Sequence, residues 1–358
     1  MNIATITPLD TTFFRDGRAF TMGEDSDTLS TVFPPAPSVI YGALRTHYFS
    51  SNIAKLSQAN TDTDPTKDLV IHDIYITIKG IPHYPMPLDT YMDDKYLKLL
   101  QRIPINKCHK PTHTDFILQT DKTVKRTDGQ YYFSALDDYR NPSNFDALNH
   151  EAINIYDKLT SEEEIGIGRK NKQTEQGKLF RIPFTRWETV KNKVNMFTFE
   201  QVKLVVVYDE LHISSGTLKL GGESKMAIID IETNNCSNSH QLTVANGECY
   251  KLYFRTPAIF AEGALPKKLF CDNLGVKITA AAVGKPLFIG GWDIKANTPK
   301  PTEQAVPPGT VYDVQVHCVE KFIAFLNANP YSLRINNDVA YTKQGYGRFE
   351  CIKVNCNQ

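Results

Sequence analysis

Nowhere in the sequence do eighteen apolar residues follow one another, which excludes a conventional membrane-spanning helix. Net charge is missing too: 40 Lys+Arg face 40 Asp+Glu. Coating nucleic acid nonspecifically needs a basic exterior, so neutrality argues against that class but leaves room for a local basic groove. The first residues, MNIATITPLDTTFFRDG, have no basic segment leading into an apolar one, so no secretory leader is expected. The seven cysteines are odd in number and scattered, pointing to free thiols and a cytoplasmic location. Catalytic signatures are also lacking. There is no GxxxxGKS/T phosphate loop, HExxH, GxSxG or paired CxxC. A structural zinc wants four ligands in two close pairs. Cys108-His109 with His113, and Cys351 with Cys356, are too far apart in sequence to meet that pattern, so neither a metal nor a cofactor is expected.

What is present suits an ordinary globular chain. Hydrophobic residues make up 41% and charged residues 22%, and 358 residues are enough for two domains. Charge is unevenly placed. Residues 151–164 hold five acids and one base, whereas 166–193 hold eight bases against Glu175 and Glu188. The densest stretch of polar and turn-forming residues is FFRDGRAFTMGEDSDTLSTVFPPAPSVIYGALRTHYF, residues 13–49.

Along the chain, residues 1–7 alternate as a strand, and Ser38 is placed to cap a helix over 39–49. That helix puts Ile40, Ala43, Leu44 and His47 on one face and Tyr41 with Arg45 on another. LVIHDIYITIK alternates as a strand, with Val70, His72, Ile74, Ile76 and Ile78 as its expected buried face. Residues 81–145 show no clear periodicity; a helix is expected over 145–159 and a basic hairpin over 165–184. The Asn/Ser-rich run 234–246 is the expected linker. Beyond it come a strand, a short helix within 262–270, two strands, the helix EKFIAFLNA and the strand FECIKV. That is the order of a ferredoxin-like unit. The expected fold is α+β: two tandem ferredoxin-like (RRM-like) domains, 1–240 with large insertions and 241–358, carrying glycine-rich loops.

Four glycine-rich pieces sit beside basic or aromatic residues: 166–170, 220–225, 290–292 and 345–348. Glycine permits close backbone approach and can present N–H groups to phosphate, while a neighbouring aromatic offers a stacking surface for an unpaired base. Any one loop is most simply a turn, but four together favour single-stranded RNA binding. His47 raises an alternative, a metal-independent endoribonuclease using an imidazole base. Its apolar-face position speaks against that. A protein-binding adaptor without RNA contact is a third possibility.

PLDTTFFRDGRAFTMGED followed by FPPAPSVIYGALR resembles the N-terminal signature of the third-subunit family of the Cmr complex, a RAMP family of type III-B CRISPR effectors. GIGRKNKQTEQGKLFRIPF, LKLGGESKMA, GGWDIKANTPKPTEQAVPPGTVY and the terminal GYGRF match the same pattern; Ser224-Lys225 stands where the family leads one to expect more arginine. The resemblance implies a noncatalytic scaffold in antiviral defence. Such a subunit holds the repeat-derived 5′ tag of the CRISPR guide RNA. Its partners are the large polymerase/cyclase subunit and the backbone RAMP subunits, with no membrane. RNA contacts are then expected from Arg15, Arg18, Ser38, Tyr41, Arg45, Arg169, Lys170, Lys172, Gly221, Gly222, Lys225, Trp292, Gly345, Gly347 and Arg348. The hairpin with Arg169, Lys170 and Lys172 becomes a thumb, and Glu24, Asp25 and Asp27 face a protein partner.

Overall fold

Apolar alternation builds the first sheet. A computed structural model describes residues 1–15, 31–105, 114–122, 124, 130–141, 145–170, 172–193, 196–233, 244–293, 298–328 and 333–356. The chain is α+β, mostly strand with few helices. Four strands form the heart of a nine-stranded sheet, in the spatial order Met226–Thr233, Asn2–Pro8, Met196–Asp209, Val70–Ile78. All three junctions are antiparallel. One face of this sheet, including Ala4, Ile6, Ile76, Leu204 and Val206, packs on the Pro37–Ser51 helix through Ile40, Ala43 and Leu44. A second helix is not interposed before the last of these strands. Instead Gly216–Lys219 forms a hairpin with Met226–Thr233 at the sheet edge.

The second sheet is four-stranded and antiparallel, in the order Val276–Ala282, Val311–Val316, Cys249–Phe254, Phe349–Val354. Its elements follow the chain order strand, helix, strand, strand, helix, strand, with helices Lys267–Leu274 and Val319–Ala328. The first of these starts after Pro266, later than the sequence suggests, because Glu262 accepts the free N–H groups of Lys268 and Leu269 at 2.9 Å.

The other face of this second sheet is covered by the chain's own segment 81–159. Met86, Leu97, Phe133, Leu136, Tyr139 and Phe145 pack on Tyr253, Val311 and Ile352. Buried charges fasten it: Lys251 pairs with Asp89, and Arg102 Nε lies 3.3 Å from Asp313. Tyr139 Oη donates to Asp89 at 2.7 Å.

Several expectations need correction. Residues 145–159 are not a helix; Ala152–Asn154 is a strand and Ile155–Lys158 a 3-10 turn, because Ile153 is drawn into pairing with Tyr132. Ile71 rather than Val70 or His72 is buried, since the pairing with Met196–Asp209 shifts register between Val207 and Tyr208. Cys249 and Cys356 are not free thiols but a disulfide. Cys249 pairs with Val354 in adjacent strands, which brings Cys356 to a Cα separation of 5.2 Å. Cys271, Cys318 and Cys351 are free. Cys108, Cys236 and most of the expected linker lie outside the described residues.

Candidate nucleic-acid interface

The site is built from three chain segments that meet at the root of a long hairpin. Strands Thr160–Lys170 and Gln173–Arg186 pair antiparallel, extending beyond the expected 165–184. Thr12 and Thr185 exchange backbone hydrogen bonds at 2.8 Å, so the N-terminal segment is stitched to the hairpin root. Trp187 Nε1 donates to Thr12 Oγ1 at 2.8 Å, and Phe13 packs on Phe184 with ring centroids 5.9 Å apart.

The double-glycine turn docks on the same segment. Gly222 N–H donates to the Phe13 carbonyl at 2.9 Å. Gly221 has φ +79, and a Cβ there would come within 2.6 Å of that carbonyl, so a side chain is excluded on both counts. Lys225 follows, its ammonium 4.3 Å above the Phe184 ring and 3.6 Å from Glu164. Arg15 is exposed on the strand-like bridge to Thr31, next to these groups in sequence.

The charge switch of the sequence becomes a spatial gradient. Near the root Glu162 pairs with Arg186 at 2.8 Å, Glu163 with Arg181 at 3.5 Å and Glu164 with Lys225. At the tip Arg169, Lys170 and Lys172 are exposed, and no carboxylate pairs with them among the described residues. Lys172 turns the chain with φ +65. Glu162, Glu163 and Glu164 are paired at the root, while Arg169, Lys170 and Lys172 pair with no carboxylate among the described residues.

Other expected contacts lie elsewhere and hold the fold. Ser38 is not the helix cap. Ala36 is, with Pro37 in the first turn, and Ser38 Oγ lies 3.0 Å from Tyr346 Oη. Burial pushes the Tyr346 hydroxyl up to about 12, against the opposing pull of its Ser38 hydrogen bonds. Tyr346 thus takes up the Ser38 hydroxyl at the helix start. Arg45 sits 5.8 Å from the Tyr41 ring, as the helix spacing suggests. Its guanidinium is taken by Asp64 at 2.6 Å, Thr66 at 2.7 Å and Asn60 at 3.0 Å.

Gly345, Gly347 and Arg348 belong to a loop wedged between the two sheets. Gly347 has φ +70, and a Cβ there would overlap the Ile335 carbonyl; Gly345 lies against Ile71. Arg348 is 9% exposed and pairs with Glu350 at 2.9 Å. Glu350 also meets Arg255 at 3.2 Å and Arg140 at 3.0 Å, and Arg255 pairs across the sheets with Asp73. Burial alone raises the Glu350 carboxyl, but Arg348, Arg255 and Arg140 outweigh it and hold it far below the usual carboxylate range. Trp292 lies in a short strand with Asp293, paired to Thr298–Pro299 and apart from the hairpin root in the sheet order. Arg18, Glu24, Asp25 and Asp27 lie outside the described residues.

His47 is 6% exposed, with Nε2 2.8 Å from the Ser214 carbonyl and Nδ1 3.1 Å from that of Thr217. Both ring nitrogens are occupied by main chain, so the imidazole is not presented to a substrate. Phe13, Phe184 and Glu164, which help organise the root, escape a reading based on glycine and basic residues, and Arg186 is seen there only as one of the basic run. Their signal is the acidic run 162–164 facing bases one hairpin away.

A family model for the CRISPR-associated protein Cas_Cmr3 matches residues 4–349. The chain belongs to this family. Among solved structures it is similar to a chain of the type III-B Cmr-β complex bound to cognate target RNA and AMPPnP. Identity is 17% and the TM-score 0.50, over 96% of this chain and 94% of that one. A chain of the same complex bound to cognate target RNA gives 19% and 0.50 over 96% and 95%. At these identities the likeness speaks for the fold. No curated protein matches the sequence.

Proposed function

We propose that this Cas_Cmr3 subunit binds CRISPR guide RNA without cleaving it. In this reading it holds the 5′ tag and bridges the large polymerase/cyclase subunit to the backbone RAMP subunits, in the cytoplasm. The observation that carries the reading is the hairpin: a projecting element whose Glu162, Glu163 and Glu164 are paired at its root, while Arg169, Lys170 and Lys172 at its tip pair with no carboxylate among the described residues. Such cations on a projecting ribbon suit a phosphate backbone, and local concentration of charge reconciles RNA binding with zero net charge. Lys225, Gly221, Gly222 and Arg15 at the root extend the same surface.

We assign residues 1–240 and 241–358 to two ferredoxin-like units. The spatial order of the four central strands supports this in both, although the first lacks its second helix. RNA is placed on the hairpin side rather than on the second sheet's face, because segment 81–159 covers that face. The role of Ser38, Arg45, Gly345, Gly347 and Arg348 is support of the fold that presents the hairpin. Electrophoretic shift of the purified subunit with CRISPR RNA, with and without its 5′ tag, tests the reading. Tighter binding of the tagged RNA supports it; equal, weak binding of both would show that the tag is not held here.

A further inference from the structure

Arg186 stands where the hairpin joins the body. Its Nε donates to Glu162 Oε1 at 2.8 Å and one terminal nitrogen donates to Asp10 Oδ1 at 2.9 Å. The other lies 3.6 Å from Glu188 Oε1. One side chain therefore ties together the hairpin's first strand, the segment leaving Asn2–Pro8, and the strand that follows the hairpin.

The two hairpin strands are anchored differently. Gln173–Arg186 is held through main chain, by the Thr12–Thr185 exchange. Among the described residues, Thr160–Lys170 makes no backbone hydrogen bond to anything but its hairpin partner. Side chains alone hold it to the body: Glu162 through Arg186, Thr160 Oγ1 to the Glu188 carbonyl at 2.8 Å, and Glu164 to Lys225 at 3.6 Å. A bare two-stranded ribbon is marginal in water, so these root contacts decide how it stands.

We propose that Arg186 is a positioning residue that sets the angle of the hairpin and thereby places Arg169, Lys170 and Lys172 against RNA. The proposal rests on the RNA-binding reading above. Arg186 is not itself a phosphate contact: three carboxylates surround its guanidinium, so its own surroundings are net negative. Its leverage comes from length. Ten residues at about 3.3 Å each make an arm of about 33 Å, and a tilt of about 10° at the root moves the tip by about 6 Å. That displacement exceeds the reach of a hydrogen bond, about 3 Å.

The test compares wild type, Arg186→Gln and Glu162→Gln. Fluorescence anisotropy reads binding to labelled CRISPR RNA over a range of salt, and hydrogen exchange reads protection of residues 160–170. Glu162→Gln is decisive because it removes a negative charge. Simple electrostatics predicts tighter RNA binding, whereas a positioning role predicts weaker binding. The expected result is an affinity loss of about tenfold in both variants, a salt slope that becomes shallower by a similar amount in both as the tip cations leave the RNA, and faster exchange in 160–170. Tighter or equal binding by Glu162→Gln overturns the proposal. So does a slope that becomes shallower for Arg186→Gln but not for Glu162→Gln, which would make Arg186 a phosphate contact. If wild type binds no RNA, the functional reading fails; unchanged exchange in the variants then separately removes Arg186 as the root clamp.

Discussion

The Tyr346 hydroxyl lies 3.0 Å from Ser38 Oγ, so a loop near the end of the chain closes the start of a helix near its beginning. Neither residue was expected to meet the other. Both belong to segments whose glycine, serine and arginine content suggested RNA contact. Their pairing turns the terminal GYGR loop into a structural joint between the two sheets.

Removing that hydroxyl tests the joint. Tyr346→Phe is expected to cost about 1 kcal/mol in denaturant unfolding, the net worth of a typical hydrogen bond, while leaving RNA affinity unchanged. Gly347→Ala is expected to cost more, about 2 kcal/mol or above, because its φ of +70 and the Ile335 carbonyl both exclude a side chain.

The Glu350 cluster sets an acid limit. Its carboxyl titrates lower in the folded chain than in the unfolded chain, so its stabilisation is complete above the ordinary carboxylate value of about 4. That stabilisation is lost as pH falls from there through the lowered folded value. Glu350→Gln should flatten this acid dependence. It should also cost about 3–5 kcal/mol near neutrality, since Arg255 and Arg348 stay buried without their partner. Unfolding curves between pH 7 and 3 give both numbers.

Reduction addresses the Cys249–Cys356 bridge. Closing a loop between residues 107 apart stabilises by about 5 kcal/mol in the chain-entropy account. Dithiothreitol is therefore expected to lower the denaturation midpoint of wild type and to leave Cys249→Ser unchanged. Equal response of both proteins would show that the bridge contributes nothing.

Much of the fold was legible in the sequence. The alternating strand at residues 1–7, the closing strand FECIKV and the helix face Ile40, Ala43, Leu44 and His47 emerge as expected because local pattern and burial agree. Segment 145–159 was misjudged because its strand exists only through pairing with Tyr131–Phe133, a contact that spacing does not encode. In Val70–Ile78 the expected buried face holds at Ile74, Ile76 and Ile78 but not at Val70 and His72, because a register shift near the start of the strand exchanges its faces there. At the site, the hairpin and its tip cations were visible as glycine spacing and charge. The destinations of Arg45 and Arg348 were not, because a buried carboxylate and a free phosphate attract the same guanidinium.

The central claim is that the hairpin tip meets RNA. The measurement is the salt dependence of CRISPR RNA binding by wild type and by the triple variant Arg169→Ala, Lys170→Ala, Lys172→Ala. Each phosphate contact on a single strand contributes about 0.7 to the log–log slope, so the variant should bind more weakly with a slope shallower by about 2. A variant that binds as tightly as wild type with the same slope would contradict the account.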